Sequence, residues 1–161
     1  MQYLSTRHAQ QSTGAAQAIV TGIAPDGGLY VPQSFPQISL EQIEAFSSLS
    51  YDACSAQIMG LYLPEFSSQE LSAMTAEAYQ NFDTPAVVPL HPLTSTQSVM
   101  ELFHGPTLAF KDMALQMLPR LMSASMKKTG EKRTVLILVA TSGDTGKAAL
   151  EGFCGVPDTR I

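Results

Sequence analysis

The run TVLILV, residues 134–139, constrains the fold more than any other part of this 161-residue chain. It is apolar and β-branched on both alternating faces, as in a strand buried on both sides of a parallel sheet. The loop ATSGDTG (140–146) leaves it, and TGKAALEGF (145–153) reads as a helix, so the segment is a βα unit. VPDTRI (156–161) leads toward a next parallel strand that the chain stops short of. A parallel sheet needs several strands and a cover of helices. The expectation is therefore an α/β chain that forms the N-terminal part of a longer protein.

The first 38 residues read as short strands and turns. QAIVTGIA (17–24) is predicted as a strand, PDGG (25–28) as a turn and LYV (29–31) as a second strand. From Ser39 the period changes to that of helices. SLEQIEAF places Leu40, Ile43 and Phe46 on one face, with Ser39 as N-cap and Gln42 three residues on. YDACSAQIMGLYL (51–63) and SSQELSAMTAEAYQNF (67–82) are further helices. Three prolines between 85 and 92 predict an extended linker over 83–98, between a small α+β domain (1–82) and a second domain beginning at 99. There VMELF (99–103) reads as a strand and 111–128 as a helix. Pro119 should kink or split that helix, because it removes an intrahelical bond.

Composition excludes several classes. A net charge of −5, with one small basic cluster at Lys127, Lys128, Lys132 and Arg133, argues against nucleic-acid binding. Cys54 and Cys154 have neither the number nor the spacing of a disulfide framework or zinc site, so no metal is expected. No apolar run approaches the roughly 20 residues of a membrane span, and the N-terminus lacks the apolar core of a signal peptide. The reading is a cytoplasmic protein.

Two segments carry chemistry. SGDTG sits at the carboxyl end of a strand and opens a helix, where α/β folds bind ligands. Gly143 and Gly146 free backbone N–H groups, and the Ser142 and Thr145 hydroxyls add donors, which suits a carboxylate or phosphate. The alternative is an ordinary capped turn. A Walker loop, and with it a nucleotide-binding module, is disfavoured, since Thr141 and Ala148 stand where its glycine and hydroxyl residue belong. The second segment is ELFHGPTLAFKDMALQ (101–116). Lys111 follows the apolar Leu108, Ala109 and Phe110, and a lysine in apolar surroundings can act as nucleophile or base. A surface ion pair with Asp112 is the competing reading.

FHGPTLAFKD (103–112), TSGDTG (141–146) and GIAPDGGLYVP (22–32) together resemble the threonine synthase family of bacterial and fungal type. The resemblance runs the length of the chain, in the family's order. It implies a fold-type II enzyme that uses pyridoxal 5'-phosphate to convert O-phospho-L-homoserine and water to L-threonine and phosphate. By the motif match Lys111 would carry the cofactor as an aldimine and move protons on the substrate. Thr141, Ser142, Gly143, Asp144 and Thr145 would face the substrate, with Asp144 also toward the cofactor, and His104 could meet the substrate phosphate. The reading preferred for His104 from the residues alone is a turn histidine bonded to nearby backbone. Arg7, in STRH beside His8, reads as structural. The loop for the cofactor phosphate would lie beyond Ile161, so the 161-residue chain is expected to be inactive alone and to self-associate through its open sheet edge. Competing readings are a non-catalytic relative that only binds a phosphorylated ligand, and a dehydratase or cysteine-synthase-like enzyme of the same fold type. The motif Phe110-Lys111-Asp112 disfavours the dehydratase and cysteine-synthase-like enzymes.

Overall fold

The computed structural model describes residues 1–8 and 12–161. Of the N-terminal stretch read as strands and turns, residues 9–11 lie outside the described residues. Strand β1 (Tyr3–Ser5) is the middle of a three-stranded antiparallel sheet, between β2 (Ser12–Thr13) and β3 (Tyr30–Pro32). Leu4 faces Ser12 on one side and Val31 on the other. The PDGG turn forms as expected: Gly27 N–H donates to Ala24 O at 2.8 Å, and Ala24 N–H to Gly28 O at 2.9 Å. Its two glycines serve different ends. Gly27 takes φ +80°, whereas Gly28 is small because a Cβ there would overlap the Ser5 hydroxyl. The Arg7 guanidinium donates to Asp26 O in this turn at 3.3 Å.

Residues 17–24 are not a strand. Ala15–Thr21 form helix α1, despite β-branched Ile19, Val20 and Thr21. A carboxylate fifty residues away decides this. Glu65 accepts from Ala15 N–H at 2.6 Å and Ala16 N–H at 3.3 Å, filling two of the helix's orphan donors. Gly14 leaves room for that carboxylate, and buried Ala15, Ala16 and Ala18 let α1 lie close on its neighbours. Tertiary contact overrides propensity here.

The other N-terminal helices follow the sequence. In α2 (Leu40–Phe46) the Ser39–Gln42 capping box closes at 3.2 and 2.9 Å. Helix α3 is Tyr51–Tyr62, and α4 is Ser68–Tyr79 with a second box from Ser67 and Glu70 at 3.2 and 2.7 Å. Leu71, Met74, Thr75, Ala78 and Tyr79 recur at helical spacing and are all buried. Leu71, Met74, Ala78 and Tyr79 form the core with Ala56, Leu63, Phe66, Phe82 and Val87. Tyr79 meets Tyr51 edge-on at 4.9 Å and donates to Met113 O at 3.2 Å, tying this core to the later part of the chain.

Within residues 83–98, Leu90–Pro92 form β4, which pairs with β5 (Ser98–Met100) as an antiparallel hairpin. The strand expected at 99–103 therefore belongs to this hairpin and not to a parallel sheet. Its turn is closed by Leu93 and Thr94 N–H groups on Gln97 O. The helix expected over 111–128 is split into α5 (Asp112–Leu115) and α6 (Leu118–Thr129), with Pro119 in the first turn of α6. Pro119 has no N–H for the Leu115 carbonyl four residues back. A Cβ on Gly152 would overlap that same carbonyl oxygen, so the carbonyl freed by proline is where α7 (Asp144–Phe153) packs.

Of the run 134–139, only Val135–Leu136 forms a strand, β6. It pairs in parallel with β7 (Thr159–Arg160), with α7 as the crossover. The next parallel strand expected after VPDTRI thus begins within that segment. Leu138 is 85% exposed, since the cover that a parallel strand requires is not formed by these residues. The mixed helix and strand content is the α/β class read from the sequence. Among the described residues, no helix is long and apolar enough to cross a membrane.

Candidate active site

The lysine block is built by a buried carboxylate. After β5 the chain turns at Gly105-Pro106, and Leu108 N–H donates to Gly105 O at 3.0 Å. Asp112, the first residue of α5, is wholly buried. It accepts from Thr107 N–H at 2.8 Å and from the Thr107 hydroxyl at 2.7 Å. A charged acceptor with two donors is a strong local tie. Gly105 packs so tightly on this carboxylate that a Cβ would stand 2.5 Å from Oδ2.

This arrangement settles the ion-pair alternative. Asp112 faces inward onto Thr107, and among the described residues no salt bridge reaches Lys111. Lys111 precedes α5, is half-buried, and accepts from Leu115 N–H through its own carbonyl at 2.8 Å. Its Nζ stands 4.3 Å from the centre of the Phe110 ring, a cation–π distance. The apolar setting is thinner than expected. Ala109 is buried, but Leu108 and Phe110 are 68% and 58% exposed. One face of the amine is covered by an aromatic ring, and the lysine remains reachable from solvent.

The second segment keeps its position at the opening of a helix. Gly143 adopts φ +119° before α7. The Thr141 hydroxyl accepts from Gly143 N–H at 3.3 Å and Gly146 N–H at 3.2 Å, so it spends part of the donor set expected to face a ligand. Thr141, Ser142, Gly143 and Asp144 are exposed, and Thr145 is half-buried. Helices α5 and α7 pack together; Lys111 immediately precedes the first, and SGDTG runs from just before the second into its first turn. Among the described residues, no hydrogen bond joins Lys111 or His104 to residues 141–145. An open groove of 590 Å³ lies alongside, lined by Pro106, Thr107, Leu108, Lys147, Leu150 and Glu151 among others.

The His104 ring is not bonded to a turn carbonyl. Its two ring nitrogens meet the carboxylates of Asp83 and Glu101. Those two carboxylates, together with Gly105, Thr107 and the inward role of Asp112, are what sequence reasoning missed. The hydroxyl-to-carboxylate spacing of five residues, Thr107 to Asp112, was a visible signal. The approach of Asp83 to His104 was not, because it depends on how α4 ends.

Comparison with known proteins fits this geometry. The family profile described as "Threonine synthase N terminus" matches residues 2–79. Threonine synthase of Pseudomonas aeruginosa is 42% identical over 94% of the chain, and that of Schizosaccharomyces pombe is 39% identical over 99%. In each case the match covers 32% of the relative. The crystal structure of pyridoxal-phosphate-bound threonine synthase from Brucella melitensis superposes with a TM-score of 0.92 at 42% identity, over all of this chain and 34% of that one. The chain spans about one third of the length of the relatives it matches, and over that third it is similar to threonine synthases along its whole length.

Proposed function

We propose that this chain supplies the cofactor-binding lysine and the substrate loop of a threonine synthase, a lyase of threonine biosynthesis acting in the cytoplasm. The reaction converts O-phospho-L-homoserine and water to L-threonine and phosphate. The division read from the sequence goes with it: 1–82 as the N-terminal domain, 83–98 as a linker, and 99–161 as the opening of the catalytic domain.

The observation that carries this reading is the separation of Lys111 from Asp112. The carboxylate next in sequence is locked onto Thr107, which leaves the amine uncompensated and accessible beside Phe110. That is the state a lysine needs to hold a carbonyl cofactor. The residues fit pyridoxal phosphate: Lys111 would bind it, with Asp144 toward its ring. When bound, the cofactor supplies an electron sink for charge developing on the substrate carbons. Lys111 Nζ would carry protons to and from the substrate Cα and Cβ. The loop of Thr141, Ser142, Gly143, Asp144 and Thr145 would receive the substrate carboxylate, with α7 behind it favouring negative charge.

The test is borohydride reduction in the presence of pyridoxal phosphate, followed by peptide mass mapping. Lys111 is expected to be labelled ahead of Lys127, Lys128, Lys132 and Lys147, and Lys111→Ala to remove that label alone. Equal labelling of all five lysines would overturn the assignment. No turnover of O-phospho-L-homoserine is expected from the 161-residue chain by itself, because it spans only about one third of the length of the relatives it matches.

A further inference from the structure

His104 precedes the turn that leads to Lys111. Its Nδ1 lies 2.5 Å from Asp83 Oδ1, and its Nε2 lies 2.8 Å from Glu101 Oε2. A neutral imidazole carries one N–H. Its other nitrogen would present a lone pair to a carboxylate at hydrogen-bond distance, which is repulsive. Only the imidazolium donates to both. The backbone adds a third tie, since Asp83 N–H donates to His104 O at 3.0 Å. The ring also stacks on Phe103 at 4.6 Å and 30°. The His104 side chain is 15% exposed, that of Glu101 26% and that of Asp83 63%.

We propose that the His104 imidazolium is a positioning residue for Lys111. It clamps the chain after α4, through Asp83, and the end of β5, through Glu101, to the turn that carries Gly105, Thr107 and Asp112. This role rests on the reading of Lys111 given above, and it replaces contact with substrate phosphate, because both ring nitrogens are committed. The mechanical chain is short. His104 fixes Gly105, Gly105 abuts the Asp112 carboxylate, and Asp112 holds Thr107 and starts α5 directly after Lys111.

The clamp is sensitive to pH, with a definite sign. Glu101 and then Asp83 hold the His104 pKa above the usual histidine range. Among the described residues these are the charged groups that face it. A group whose pKa is raised on folding stabilises the fold fully below its unfolded value and loses that contribution as pH rises through the folded value. The turn before Lys111 should therefore loosen on the alkaline side.

The experiment is NMR on the 161-residue chain, whose three histidines make the ring signals readable. His104 is expected to titrate above the free-imidazole value. Glu101→Gln and Asp83→Asn should each bring it down, because each removes an opposite charge in contact with the ring. The protection factor of the Thr107 amide, corrected for intrinsic exchange, should fall as pH passes the His104 pKa. The fall should be about tenfold per unit by which the clamp raises that pKa. His104→Gln should give a Thr107 protection factor that is low and does not change across this range. An ordinary His104 pKa in the unaltered chain, or Thr107 protection indifferent to it, would overturn the clamp. The proposal about Lys111 fails separately: if the clamp behaves as described but reductive labelling shows no preference for Lys111, then it is the cofactor reading that falls.

Discussion

Replacing Gly105 with alanine tests the construction of the lysine block at its tightest point. The added methyl would stand 2.5 Å from Cβ and Oδ2 of Asp112 and 2.9 Å from its Cγ, where ordinary contact begins at 3.4 Å. The carboxylate must retreat by about 1 Å, a shift on the scale of that shortfall. It cannot do so freely, because Asp112 is wholly buried and its bonds from Thr107 are only 2.8 and 2.7 Å long. Overpacking costs about 1–3 kcal/mol, and a buried Thr107 N–H left without its acceptor costs about 1–3 kcal/mol more. The expected loss is about 4 kcal/mol, read as a shifted midpoint in urea unfolding followed by far-UV circular dichroism. If the clash is with Asp112, the same change in an Asp112→Gly background should cost less than about 1 kcal/mol, a coupling of roughly 3 kcal/mol. A loss of under about 1 kcal/mol for Gly105→Ala alone, or an undiminished loss in the Asp112→Gly background, would refute the reasoning.

Gly152→Ala drives a methyl into the Leu115 carbonyl, which is backbone and cannot turn aside; thermal melting should show a loss of about 1–3 kcal/mol or more. Glu70, held down to about 2 by Lys128 at 2.8 Å and by the Ser67 cap, contributes stability above its usual value of 4.5 that is lost as pH falls toward 2. An acid titration of stability should show that loss, and Lys128→Ala should make it shallower. Self-association through the open β6 edge predicts concentration-dependent sedimentation of the chain, and Leu138→Lys, at a position 85% exposed, should reduce it.

Local signals carried much of the architecture. Both capping boxes could be read from Ser39–Gln42 and Ser67–Glu70, because a cap is made by residues three apart. The split at Pro119 was equally legible, since a missing N–H is a property of one residue. The parallel βα unit showed in the apolar run 134–139, although only Val135 and Leu136 pair. The positions of Lys111 and of the loop 141–145 at the start of helices followed from the same kind of pattern.

What the sequence determined by itself was whatever is set within a few residues: caps, breaks, turns and the order of elements. The tertiary structure decided the rest. It made a helix of Ala15–Thr21 by bringing in the Glu65 carboxylate, turned Asp112 away from Lys111 and onto Thr107, and closed Asp83 and Glu101 around His104. In each case a charged group chose among partners that sequence spacing left open. For Asp112 the choice followed burial, because a carboxylate withdrawn from water must find donors wherever the packing supplies them.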